Sequence, residues 1–138
     1  MLLRYAFLAD SASLDQASKL SAIGIFEAVF APTFPTIVRD MTLVLNLEGT
    51  IAEKGEHKIS IEFRDDKSNK LAGFEQKINL QNPAATQGVL RAGIITKFQD
   101  VPVQRAGQYE FVIFGDDRFL GRVIFTAHKI EINKMGEK

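Results

Sequence analysis

Apolar and polar positions alternate with a period of two along most of the chain. From His57 to Arg64, the face His57, Ile59, Ile61 and Phe63 alternates with Lys58, Ser60, Glu62 and Arg64, the spacing of a strand with one side in a core. Met41, Leu43, Leu45 and Leu47 alternate in the same way with Thr42, Val44, Asn46 and Glu48. Phe74, Gln76, Ile78 and Leu80 oppose Glu75, Lys77 and Asn79, with Gln76 a polar intruder on the apolar side. Tyr109, Phe111 and Ile113 form a further face, as do Val123, Phe125 and Ala127.

Residues that favour turns separate these runs: Gly49, Gly55, the stretch Asp65-Asp66-Lys67-Ser68-Asn69, and Gly115-Asp116-Asp117. They supply positive φ angles or bond their side chains to the local backbone. Two hairpins follow, His57–Arg64 with Lys70–Leu80 and Gln108–Phe114 with Phe119–Ile130. Adding Leu2–Ala9, Lys19–Phe30, Thr36–Leu47 and Ala92–Val101 gives about eight strands at the spacing of a sandwich or barrel. The helical periods that a parallel sheet needs are missing. Ser13-Leu14-Asp15-Gln16 fits a capping box with Leu14, Ala17 and Leu20 on one side, which leaves room for one short helix. The expectation is an all-β chain: a single antiparallel β-sandwich over residues 1–132, immunoglobulin-like or related, with a disordered tail over 133–138.

A local signature sharpens this architecture. Gly107-Gln108-Tyr109-Glu110-Phe111 reads G-x-Y-x-F at the start of a late strand. A tyrosine at this corner of an immunoglobulin-like sandwich bonds back to the preceding loop, two residues before a core position. Phe111 would then take the place of the disulfide cysteine of antibody domains. Ala9-Asp10, Asp15, Lys19-Leu20-Ser21-Ala22, Gly24-Ile25-Phe26 and Phe34-Pro35, with the later Gly55-Glu56-His57 and Gly107-x-Tyr109-x-Phe111, give the chain a further likeness. On these residues it resembles a family of small bacterial β-sandwich domains of unknown function, up to about Ile130. The resemblance implies the fold and no activity, cofactor or catalytic residue.

Composition narrows the function more than it defines it. The 138 residues suit one domain, and 46% apolar content excludes intrinsic disorder. Lys+Arg and Asp+Glu both number 17, so no net field attracts nucleic acid or an anionic membrane. The absence of cysteine removes thiol nucleophiles, disulfides and cysteine-ligated metals. Arg4 and Asp10 interrupt the first apolar run, which is shorter than a signal-peptide core, and the expected location is cytoplasmic.

Candidate chemistry is sparse. His57 and His128 lie outside any nucleophile-elbow context and read as strand histidines. Asp10, Asp65 and Asp116 could converge on calcium if the end loops meet, although aspartate is common in turns for backbone reasons. The feature least explained by folding is Phe26–Pro35, in which Phe26, Val29, Phe30 and Phe34 lie beside Pro32 and Pro35. These rings either close an open end of the core or form an exposed patch for a partner. The expected function is a non-enzymatic module for protein interaction, assembly or self-association, without cofactor and without nucleic-acid or membrane binding. The alternative is a domain that binds a small ligand, a carbohydrate or calcium through its end loops.

Overall fold

The computed structural model describes residues 1–81 and 88–131, and nine strands lie among them. They are β1 (Leu2–Leu14), β2 (Leu20–Phe26), β3 (Ala28–Ala31), β4 (Thr36–Thr50), β5 (Gly55–Arg64), β6 (Lys70–Leu80), β7 (Val89–Val103), β8 (Gly107–Gly115) and β9 (Arg118–Lys129). One sheet has the order β2-β1-β4-β7, the other β3-β9-β8-β5-β6. The tail expected over 133–138 lies outside the described residues.

Each sheet turns the apolar side of its alternating strands inward. Leu8, Met41, Leu43, Leu45, Leu47 and Ile94 of the first sheet share a core with Ile59, Ile61, Phe63, Phe111, Ile113 and Phe125 of the second. The ring of Phe63 stacks on three others, its centroid 4.9 Å from that of Phe111, 5.7 Å from Tyr109 and 6.1 Å from Phe125. Burying a large apolar side chain stabilises by about 1.5–3 kcal/mol, so this aromatic cluster, all of it from the five-stranded sheet, is a principal part of the core face of that sheet.

Two expectations need correction. No helix forms near Ser13: β1 runs on to Leu14, and Asp15 opens a tight turn into β2. The Asp15 Oδ1 accepts bonds from the amides of Ala17 and Lys19 at 2.8 and 2.9 Å. Satisfying these amides locally removes the need for a helical turn. The run Lys19–Phe30 is also two strands rather than one. After β2 the chain crosses between sheets at Glu27, and β3 pairs with β9 in parallel, Ala28 opposite Thr126 and Ala31 opposite Lys129. Every other strand pair is antiparallel.

The β1–β2 hairpin covers part of the outer surface of its own sheet. Leu14, Ser18 and Leu20 line one cleft together with Tyr5, Val44, Asn46, Gly93 and Ile95, so the hairpin tip lies over the face pointing away from the core. This explains why Thr42 and Val44, on the outward side of β4, are only 1% and 2% exposed. At the bend, Gly24 has φ 69°, and a Cβ there would collide with the Asp10 carboxylate. A side chain at this position would be strained in its backbone and would require the Asp10 carboxylate to turn aside.

Candidate functional site

The sandwich is open along the side where β6 edges one sheet and β7 edges the other. Between them lies a cleft of about 480 Å³. Phe63, Phe74, Phe98 and Phe111 contribute apolar rings to it, while Lys97, Gln99, Asp100 and Gln104 supply polar groups. Phe98 stacks on Phe111 with centroids 5.3 Å apart and meets Phe74 edge-on at 5.2 Å. Leu71 also lines the cleft and is 45% exposed. Asp100, at φ 55°, interrupts the regular backbone of β7 between Phe98 and Val101, both of which pack toward the core. An apolar cleft flanked by two strands whose outer edges are unpaired among the described residues, apart from a bridge between Gln81 and Arg91, can hold apolar side chains and offers backbone groups to an added strand.

The Phe26–Pro35 segment is divided by the crossing between sheets. Phe26, Val29 and Phe34 pack against the core, Phe26 from a position opposite Leu8. Phe30 alone of the four is presented, 64% exposed, its ring stacked on the His128 imidazole at 5.3 Å. Ile23 and Ile25 of the neighbouring edge strand are exposed too. Most of the aromatic excess in this segment therefore serves packing, because a strand that changes sheets must bury side chains on both sides of its crossing.

Tyr109 sits at a corner. Its hydroxyl donates to the Arg105 carbonyl at 2.8 Å and accepts from the Arg105 amide at 3.3 Å. The Arg105 guanidinium reaches Asp66 at 3.0 Å and Asp65 at 3.6 Å, which ties this loop to the β5–β6 turn. Asp65 is a turn former: it accepts from the amides of Lys67 and Asn69 and from the Asn69 side chain. Those bonds, led by the Asn69 side chain, hold its carboxyl below the usual range.

The three aspartates considered for calcium do not converge. Asp65 follows the end of β5, Asp116 contacts Lys58 and His57 near the start of that strand, and Asp10 lies against Gly24 on the other sheet. A strand of this length separates its ends by more than 20 Å. Among the described residues no three His, Cys, Asp or Glu side chains gather as a metal site.

His57 is fully engaged. Its Nδ1 donates to Asp116 Oδ2 at 2.6 Å and its Nε2 donates to the Glu53 carbonyl. Two acceptors favour the imidazolium, so the bond to Asp116 and then that to Glu53 raise the His57 pKa. The same bond, aided by the Lys58 amide, lowers that of Asp116. With both ring nitrogens committed, the arrangement is a clasp between the start of β5 and the β8–β9 turn, and it leaves no nitrogen to act as a base.

The sequence reading overlooked Leu71 and Phe98 as candidate site residues, because the cleft joins edges of different sheets and alternation within one strand says nothing about which edges face each other. Gln76, on the apolar side of β6, was the available signal.

Comparison with known proteins adds a family and little else. The model of a family of unknown function, DUF6941, matches residues 4–128. No curated protein matches the sequence. The solved structure of Pseudomonas fluorescens alkylpurine DNA glycosylase AlkC, bound to DNA containing an abasic site analog, is similar with 11% identity and a TM-score of 0.46. The likeness covers 73% of this chain and 27% of that one, so the chain spans about a quarter of that protein's length. Among the described residues no helix is long and apolar enough to cross a membrane.

Proposed function

The chain belongs to the DUF6941 family of unknown function, and from its architecture we propose that it is a non-catalytic assembly module, engaging protein through the β6–β7 side of its sandwich. The observation that carries this reading is an apolar cleft between two strand edges that are joined at one end by the Gln81–Arg91 bridge and otherwise free among the described residues. Backbone groups along an edge contribute affinity, and pockets for alternate side chains contribute selectivity. The commitment of both His57 nitrogens and the stacking of His128 under Phe30 favour a binding role over a catalytic one. The same proposal has the protein work in the cytoplasm.

Leu71→Asp tests the reading, because Leu71 is exposed at the cleft and a charge there should block a partner without entering the core. In-cell crosslinking and sedimentation of wild type and variant are compared, with thermal melting as the control. Loss of the crosslinked species with an unchanged melting temperature supports the assignment. Association that is identical in the two proteins removes it.

A further inference from the structure

Among the described residues four strands end a sheet: β2, β7, β3 and β6. Their side chains differ in what they could face across a two-fold axis. In an antiparallel pair of identical strands, residues i and j are opposite when their numbers have a constant sum, and opposite residues share a face. β2 and β3 carry no charged residue. On β7 the acid, Asp100, is at an odd separation from both bases, Arg91 and Lys97, and its positive φ interrupts the strand, so a regular antiparallel pairing does not run through it. β6 alone carries an acid and a base at alternate positions, Glu75 and Lys77, both exposed.

We propose that β6 pairs with β6 of a second copy of this chain, antiparallel and centred on Gln76. This rests on the assembly reading and names its partner. With Gln76 on the axis, Glu75 of each copy lies opposite Lys77 of the other, so two opposite-charge pairs form on the outer face. On the inner face, Phe74 lies opposite Ile78 of the second copy, and Ile78 opposite Phe74. Both side chains already pack against the edge of the core, and the added strand extends that apolar surface beside the cleft. The two five-stranded sheets then form one continuous sheet.

Gln76 gives the independent support. It stands opposite Ile59, on the core-facing side of β6 between Phe74 and Ile78. Among the described residues its side chain makes no hydrogen bond. A primary amide carries both a donor and an acceptor. Two such groups related by a two-fold axis satisfy each other, which an apolar residue at the axis would not do. The intruder in the alternation thus sits where a self-complementary polar group is useful for setting register.

Charge exchange tests the pairing. Glu75→Lys and Lys77→Glu each set like charges opposite one another, and each should raise the dimer dissociation constant about tenfold. The double variant restores opposite charges and should recover the wild-type constant. Mixing the two single variants should yield a heterodimer tighter than either homodimer, because each strand then meets its complement. Because the chain has no cysteine, Gln76→Cys places the only two thiols of a dimer on the axis, within disulfide reach. It should crosslink on mild oxidation, whereas Asn79→Cys, separated from its counterpart by about 20 Å in this register, should not. Wild type that stays monomeric from about 1 μM to 1 mM overturns the inference. So does association insensitive to both charge reversals with no crosslink through Gln76→Cys; if Leu71→Asp still abolishes that association, the broader assembly reading survives with a different contact.

Discussion

The Tyr109 hydroxyl is bonded twice to the backbone of one residue, Arg105, as donor to its carbonyl and acceptor from its amide. A single atom thereby fixes both ends of a peptide segment at the corner leading into β8. Tyr109→Phe keeps the ring, which stacks on Phe63 and on Phe125, and strands two backbone groups. The expected cost is about 1–3 kcal/mol, read from urea unfolding as a lower midpoint at constant slope. An unchanged midpoint would mean that water replaces the hydroxyl without loss.

The clasp between His57 and Asp116 makes stability depend on pH. The His57 pKa is raised above its ordinary 6.5, so its contribution is complete below that value and is lost as pH rises through the folded value. Asp116 is lowered from its ordinary 3.8, so its contribution is present above that value and is lost as pH falls through the folded one. Stability should therefore decline on the alkaline side of 6.5. His57→Gln should flatten that decline, with chemical denaturation between pH 5.5 and 8.5 as the measurement. An alkaline slope retained in the variant would assign the effect elsewhere.

Phe30 and Phe34 should respond differently to the same change. Phe30→Asp alters an exposed ring and should cost less than about 1 kcal/mol. Phe34→Asp places a carboxylate against the core, where an unpaired charge is expensive, and should lower the melting temperature sharply. Equal melting of the two variants would contradict the division of the segment described above.

Ser18 and Ser68 both hold positive φ, 60° and 62°, in turns where the left-handed conformation costs an L-residue roughly 1–2 kcal/mol. Ser18→Gly and Ser68→Gly relieve that strain and give back part of it as unfolded-chain entropy. Each variant should unfold at slightly higher urea than wild type. A drop in both would show that the serine side chains contribute more than their backbone strain costs.

These two turns also show what was legible in the sequence. Asp15 and Asp65 each bond their own Oδ1 to the amides two and four residues on, and each amide N–H bonds the carbonyl four residues later. The second turn was readable because period-two strands bracket Asp65–Asn69 on both sides. The first was not, because Leu14, Ala17 and Leu20 mimic a helical spacing while β2 is an edge with exposed Ile23 and Ile25, and so does not alternate. The inward residues at 41–47, 59–63 and 109–113 follow directly from alternation, whereas the burial of Thr42 and Val44 between them comes from the covering hairpin and had no such signal. The cleft was invisible for a different reason: it depends on which strands end their sheets, and no local pattern encodes that. Gln76 was visible as an anomaly before any neighbour could be assigned to it.

The parallel strand β3 carries a consequence for the order of events in folding. Its partner, β9, is the last of the nine described strands, with Ala28 opposite Thr126, 98 residues further along the chain. The hairpins β5–β6 and β8–β9 close short loops and can form early, whereas β3 must wait for a contact with a large loop-closure cost. During synthesis, Phe26, Val29 and Phe34 therefore have no completed core to enter until β9 has emerged. For that interval the nascent chain carries an apolar stretch unsheltered by its native partners, which makes emergence of β9 the event that ends its period of greatest exposure to misassembly.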